Sequence, residues 1–528
     1  MRLNRLFVAA AAALSVVLAA CGSGGGGVTD PTDGSTQTDE PTQSETAADQ
    51  PEHGGTLTYL ASRLGVGVDP TAPPNLNPGN QSGYFFLAIY DYLVIETPDG
   101  YAPGLAESLE SDDGINWTMK LKSGVEFSDG TPFDAEAVKY NWERHDEAGK
   151  TGFALMQQIE SVTVVDDLTL DIVLKAPSAV FPALVAFRLN AIGSPTAFEE
   201  DPDGLPVGAG PFKIESWVPD GELVLVRNEN YWNAPLPYLD KLVFLPVADT
   251  SQALAAVTTG DADGFYGTNY DISDRSEQAG LEVLHWVPTG GPNILFNTSA
   301  PPLDDVRVRQ ALVLAMNSQG FSDTIERGLS PVPTTIFSEE SPFHNPAITL
   351  PEHDPAAAQA LIDEVVAETG GPIKVEFATA PGPSATWAEY FQSQVMSDVE
   401  NLEISIVVAE GSTYVSDIIA GKFQAFNYAL NISDPEPNFA DTFGVDGGNM
   451  VRYEDAEFQD AINVGKTSVD LEERKAAYDT IQQIMIDQAL GKFFARSTKP
   501  SIHDPARVGG IEMVGLGAPL FHSAYIVR

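Results

Sequence analysis

Seven histidines, at positions 53, 145, 285, 344, 353, 503 and 522, are scattered along the chain, and no His/Cys/Asp cluster has the spacing of a metal-ligand set. A Gly-x-Ser-x-Gly elbow, a Ser-x-x-Lys pair, a His-Glu-x-x-His helix and a phosphate-binding loop are all missing. The commonest serine, zinc and nucleotide chemistries are therefore unsupported. Carboxylates are the abundant reactive groups, 75 Asp and Glu in 528 residues, and at that density paired acids arise by chance. Thr259-Gly260-Asp261-Ala262-Asp263-Gly264 has the look of a calcium loop, yet the terminal bidentate Glu is missing. A binding protein is the expectation, with no cofactor and no catalytic residue; an exported hydrolase is a remote alternative.

The charge balance says what the surface cannot hold. With 28 Lys and Arg the formal net charge is −47, which excludes nucleic acid and bare anionic lipid as partners, since both need clustered cations. The length predicts two or three domains or lobes rather than one core. Arg2 and Arg5 precede an apolar stretch from Leu6 to Leu18, the layout of an export signal. Leu18-Ala19-Ala20-Cys21 then resembles the lipobox of bacterial lipoproteins, which implies cleavage before Cys21 and a lipid on its sulfur. Cys21 is the only cysteine, and an unpaired thiol in an exported protein is a liability unless modified. Residues 22–53, rich in Gly, Ser, Thr, Asp and Pro, read as a disordered tether.

The elements that would position a site begin at Gly54. Asn116 to Lys122 alternates apolar and polar residues as a half-buried strand does, and Leu170, Ile172 and Leu174, then Leu223 and Leu225, repeat the pattern. Val308, Ala311, Leu312, Ala315 and Met316 follow helical spacing behind Asp304-Asp305. Asp470 with Glu473 predicts a capping box for a helix burying Ala477, Ile481, Ile484 and Met485. The fold class is α/β, without a repeat of fixed period.

Leu105 to Arg144 contains Phe127-Ser128-Asp129-Gly130-Thr131-Pro132 between a strand and a helix that Asp134 can cap. Further on stand Gly208-Ala209-Gly210-Pro211-Phe212, Arg227-Asn228-Glu229-Asn230-Tyr231-Trp232 and the stretch from Pro301 to Ala311. Together these resemble the family 5 extracellular solute-binding proteins, the dipeptide-, oligopeptide- and nickel-binding group, over roughly Gly54 to Gly510. The resemblance implies a two-lobed clamshell of the periplasmic-binding type (type II, cluster C), with an enlarged first lobe and two hinge crossings. Lobe I would comprise 54–295 with 495–528, and lobe II 296–494. It implies capture of a peptide or peptide-like ligand by lobe closure and delivery to the permease subunits of an ABC importer, by a monomer held on the extracellular face of the cytoplasmic membrane through its lipid. An oligosaccharide, a metal chelate or haem are alternatives within the same fold.

The family's dipeptide binders carry a loop whose first aspartate pairs with the ligand's α-amino group. Aligned on Asp434-Pro435, that position holds Asn431, and Tyr428 stands at the loop's tryptophan; a shifted alignment makes Asp434 the amine partner, with Glu436 beside it. An amide leaves a buried ammonium uncompensated, so the two alignments predict different ligands. Ser82 and Tyr84 would contact the ligand from the first lobe, and Asn293, beside Gly290-Gly291, from the hinge. Trp387 is a candidate cleft wall, whereas Trp117, Trp142 and Trp232 read as packing aromatics.

Overall fold

A computed structural model describes residues 51–528 apart from 63, 65–66, 72–82, 98–99, 151, 410–412 and 433. The export segment, Cys21, tether residues 22–50 and Ser82 lie outside the described residues. No helix among the described residues is long and apolar enough to cross a membrane.

Two mixed sheets organise the chain. The first has seven strands, in the order Glu282–Trp286, Lys499–His503, Gly264–Tyr266, Thr56–Ala61, Lys241–Pro246, Leu223–Arg227 and Phe212–Trp217. Thr56–Ala61 runs parallel to both of its neighbours, and the outer strands pair antiparallel. The second has five, in the order Leu402–Val408, Ile373–Thr379, Ala425–Ile432, Thr289–Phe296 and Gly491–Phe493. Apolar clusters cover both faces of the second sheet: Val308, Leu312, Phe321 and Phe391 on one, Phe337, Phe343, Phe439 and Tyr478 on the other. A strand buried on both faces needs no polar alternation, which is why Thr289–Phe296 reads Thr-Gly-Gly-Pro-Asn-Ile-Leu-Phe and is buried throughout.

An antiparallel four-stranded sheet, Ala106–Glu110, Asn116–Leu121, Thr169–Leu174 and Ile159–Asp166, has its own core around Trp117, Trp142 and Phe181. Two of the predicted alternating strands, Asn116–Leu121 and Thr169–Leu174, are here, and the third, Leu223–Arg227, is in the seven-stranded sheet. Trp142 is fully buried, and its indole N–H donates to the Leu189 carbonyl at 3.0 Å, so truncation to Ala would cost ~3–5 kcal/mol. Asp134 caps the helix Ala135–Arg144 by accepting from the Ala137 N–H at 2.9 Å. The helix Leu471–Asp487 starts at Asp470 as expected, but the capping box is not formed: Glu473 accepts from the Ser468 hydroxyl, and the Asp470 N–H donates to that same hydroxyl oxygen.

The family-like motifs turn out to be scaffolding. Gly208 and Gly210 let backbone pass against backbone, for a Cβ on Gly208 would lie 2.1 Å from the Ile89 carbonyl oxygen. Tyr231 and Trp232 both donate to Asp91, which ends the helix Gly83–Tyr90. In the calcium-like segment, Asp263 accepts from the Thr58 N–H and pairs with Arg507 at 2.7 Å, so the loop holds two strands together. Ordered contacts also begin slightly before Gly54: Glu52 pairs with Arg528, and the His53 ring lies 5.3 Å from that of Tyr238.

Candidate functional site

The chain passes from the seven-stranded to the five-stranded sheet at residues 287–288 and returns at 494–498. Thr289–Phe296 pairs along its whole length with Ala425–Ile432 of the five-stranded sheet. The returning crossing packs against the strand that follows the first. A Cβ on Gly291 would stand 2.4 Å from the Ala495 carbonyl oxygen, a closeness that, with a φ of +137°, only glycine meets easily. Arg496, 8% exposed and in no salt bridge among the described residues, donates to the carbonyls of Gly290, Ile336 and Thr335, and burial lowers its pKa to about 10.

Asn293 and Tyr428 are paired neighbours on the two central strands beside these crossings. Asn293 lies opposite Tyr428 in the paired strands, and Asn431 lies opposite Gly290. The Asn293 side chain is fully buried; its amide N–H donates to the Gly291 carbonyl at 3.0 Å, and its oxygen has no partner among the described residues. Tyr428 is half-buried against the Phe439 cluster, and burial raises its pKa. Trp387, half-buried on the helix Pro383–Asp398, makes edge-on contacts with Phe321 and with Phe494 of the returning crossing.

The other two predicted residues have different surroundings. Tyr84 is fully buried in the seven-stranded sheet's core, its ring 5.5–5.9 Å from those of Tyr59, Phe244 and Tyr266. Asp434 is gripped by Arg474 in a two-pronged ion pair of 2.6 and 3.0 Å, and also accepts from the Glu436 N–H at 2.9 Å. Both of its carboxylate oxygens are therefore engaged within the chain, a partnership 40 residues away in sequence that no local motif announces.

Two cavities open between the body built on the five-stranded sheet and the rest of the molecule. The smaller, about 180 Å³, lies where Tyr101, Val180 and Pro182 face Phe343, Asp434 and Arg474. The larger, about 390 Å³, lies between Val180, Leu184 and Arg188 on one side and Glu436, Asp441 and Lys466 on the other. That volume falls within the ~300–1,000 Å³ of ligand pockets. Glu436 is 1% exposed, with its oxygens taken by the Tyr478 hydroxyl at 2.6 Å and the Ala440 N–H at 3.1 Å; burial pushes its carboxyl up to about 7. Beside the cavity, the Ala179 N–H donates across the gap to the Lys466 carbonyl at 3.0 Å. Arg188, Asp441 and Lys466 come from three separate helices, and only the tertiary fold brings them to one cavity.

Residues 100–450 match the bacterial extracellular solute-binding proteins, family 5 (middle region). The chain belongs to this family. The family 5 protein is 28% identical over 404 residues to the nickel-binding periplasmic protein of Escherichia coli (strain K12), covering 70% of this chain and 75% of that one. It is 26% identical over 513 residues to the dipeptide-binding protein of the same strain, covering 89% and 94%. The structure of NikA from Brucella suis in complex with Fe(III)-EDTA superposes with a TM-score of 0.76 at 24% identity, over 88% of this chain and 98% of that one. These likenesses make the family 5 protein a type II clamshell, with the two sheets at the centres of its halves and the crossings between them.

Proposed function

We propose that the protein captures a small solute, peptide or peptide-like, between its two sheet-centred bodies and passes it to the permease of an ABC importer. The observation that carries this reading is a ligand-sized cavity in the gap between two sheet-centred bodies that two chain crossings join. A solute that contacts both bodies binds only their closed arrangement and shifts the equilibrium toward it, giving a permease a loaded shape to distinguish from an empty one. Residues 51–286 with 499–528 would act as one lobe and 289–493 as the other. Asn293 and Tyr428 would present polar groups from the hinge side, with Trp387 as an outer wall; Ser82 and Asn431 stay candidates on the sequence resemblance alone. Tyr84 and Asp434 would serve packing and the ion pair instead. The chain would work as a monomer tethered outside the cytoplasmic membrane through Cys21.

A metal chelate is the second reading, favoured by one observation. With Asp434 engaged by Arg474 and Asn431 at the amine-binding position, the loop offers no free aspartate for an α-amino group. Among the described residues no group of three His, Cys, Asp or Glu could hold a bare metal ion, so a metal would have to arrive with its own ligands. Native mass spectrometry of freshly purified protein tests both readings. A retained mass of a peptide or chelate supports capture; calorimetry that finds no binding to short peptides, their N-blocked forms or Ni(II)–EDTA refutes it.

A further inference from the structure

We propose that the rim of the gap carries a clasp that shuts the two bodies without any solute, the Ala179 N–H on the Lys466 carbonyl, and that the Tyr101 hydroxyl opposes it. The proposal goes beyond solute capture and shares with it only the motion of the bodies. The last carbonyls of the helix Ala456–Thr467 have no partners within the helical ladder. Three are filled from their own body: Asn463 by the Thr467 hydroxyl at 2.7 Å, Val464 by the Ser468 N–H at 2.9 Å and Gly465 by the Arg474 guanidinium at 2.9 Å. The Lys466 carbonyl differs from these in taking its donor from the other body, at 3.0 Å. A donor there also suits the negative end of the helix dipole.

The loop that brings the donor is preset. Its Ser178 N–H donates to the Gly114 carbonyl at 2.9 Å, and Gly114 lies in a turn that Asp113 holds by accepting from the Ile115 and Asn116 N–H groups at 2.8 and 2.7 Å. Little ordering entropy is therefore lost when the bodies meet. Beside the clasp, Val180 and Pro182 face Pro342 and Phe343 across the smaller cavity.

Tyr101 works in the other direction. It lines that cavity opposite Asp434 and Arg474, and its hydroxyl is buried with no hydrogen-bond partner among the described residues. Asp434 and Arg474 are already joined to each other by two hydrogen bonds. Opening withdraws the wall that they form and returns the hydroxyl to water. Closing thus leaves a polar group unpaired, at a cost comparable with what the clasp contributes. The two effects oppose each other, so the empty protein exchanges between shut and open arrangements instead of resting in either, and a solute needs to supply only a small bias.

Double electron–electron resonance on the solute-free full chain would measure this balance. Spin labels would sit at Glu222→Cys and Glu364→Cys, one exposed site on each body, with Cys21→Ser so that no other thiol takes a label. The parent should show a closed and an open distance. Ala179→Gly, which keeps the N–H, should leave their ratio within about twofold, whereas Ala179→Pro, which removes it, should lower closed relative to open about two- to tenfold. Tyr101→Phe should raise that ratio about fivefold or more. Circular dichroism checks each fold first, and Tyr101→Phe keeps the balance testable should Ala179→Pro not fold. Equal ratios in the parent, Ala179→Gly and Ala179→Pro overturn the clasp and leave capture intact; an unchanged or lower ratio in Tyr101→Phe overturns the opposing role. A single distance in the parent that tri-alanine or Ni(II)–EDTA moves overturns the clasp alone. A single distance in all four proteins that neither probe moves overturns the clasp and the capture motion together.

Discussion

Replacing Asp434 by Asn separates a structural carboxylate from a ligand-binding one. The substitution keeps the shape and the hydrogen bond accepted from the Glu436 N–H but removes the charge that faces Arg474. The two side chains are 13% and 11% exposed, so Arg474 would be left nearly buried, still donating to the Gly465 carbonyl and resting over the Phe343 ring, with no counter-ion. Breaking a buried pair by removing one partner costs ~3–5 kcal/mol, and the residual exposure places this one near ~3 kcal/mol. With an unfolding entropy of ~2.1 cal/mol/K per residue, a body of about 200 residues melting alone would lose ~7 °C, and about 480 residues melting together ~3 °C. Differential scanning calorimetry should thus show a fall of about 3–7 °C in Tm. The double variant Asp434→Leu/Arg474→Met, which leaves no orphaned charge, should recover most of it. An Asp434→Asn protein with unchanged Tm and lost affinity for a peptide with a free N-terminus would refute this reasoning, since the carboxylate would then be holding the ligand and not Arg474.

Two buried titratable groups give further tests. Burial raises the Glu436 carboxyl from 4.5 to about 7, so between those values the native state keeps a proton that the unfolded chain has released. The stability this gives is whole below about pH 4.5 and is lost as pH rises through 7, amounting to ~3 kcal/mol; Glu436→Gln should flatten that fall in urea unfolding from pH 5 to 8. Lys492, 4% exposed and bonded only to the Pro351 carbonyl, is lowered from 10.5 to about 8 by burial. Its contribution is present above the unfolded value and lost as pH falls through 8; Lys492→Met, relieved of the buried charge but without one hydrogen bond, should therefore gain ~2 kcal/mol at pH 7, and an unchanged unfolding midpoint would contradict this.

What the sequence made plain was the scaffold. Alternation in Asn116 to Lys122, the cap at Asp134 and the close-packed glycines at 208 and 210 are local or family-wide signals, and each reports a requirement of packing or backbone approach. Site chemistry was less legible because it depends on partners far apart in the chain. Asp434 reads as a free acid beside a proline until Arg474 folds onto it. Tyr84 reads equally well as a ligand contact or a core residue, and only the rings of Tyr59, Phe244 and Tyr266 around it decide. Arg188 and Lys466 come from two separate helices, and only the tertiary fold brings them to one cavity.

The returning crossing is pinned at both ends. Arg496 is tied by its guanidinium to Gly290, Thr335 and Ile336, whereas two residues later the Thr498 hydroxyl lies 3.0 Å from the His285 imidazole, in the seven-stranded sheet. Between these ties lie only Ser497 on one crossing and Val287-Pro288 on the other. Groups close to them, such as Asn293, hardly shift when the jaws swing, so the polar atoms there stay preset for the next catch. Groups far from them would sweep the widest arc in such a swing.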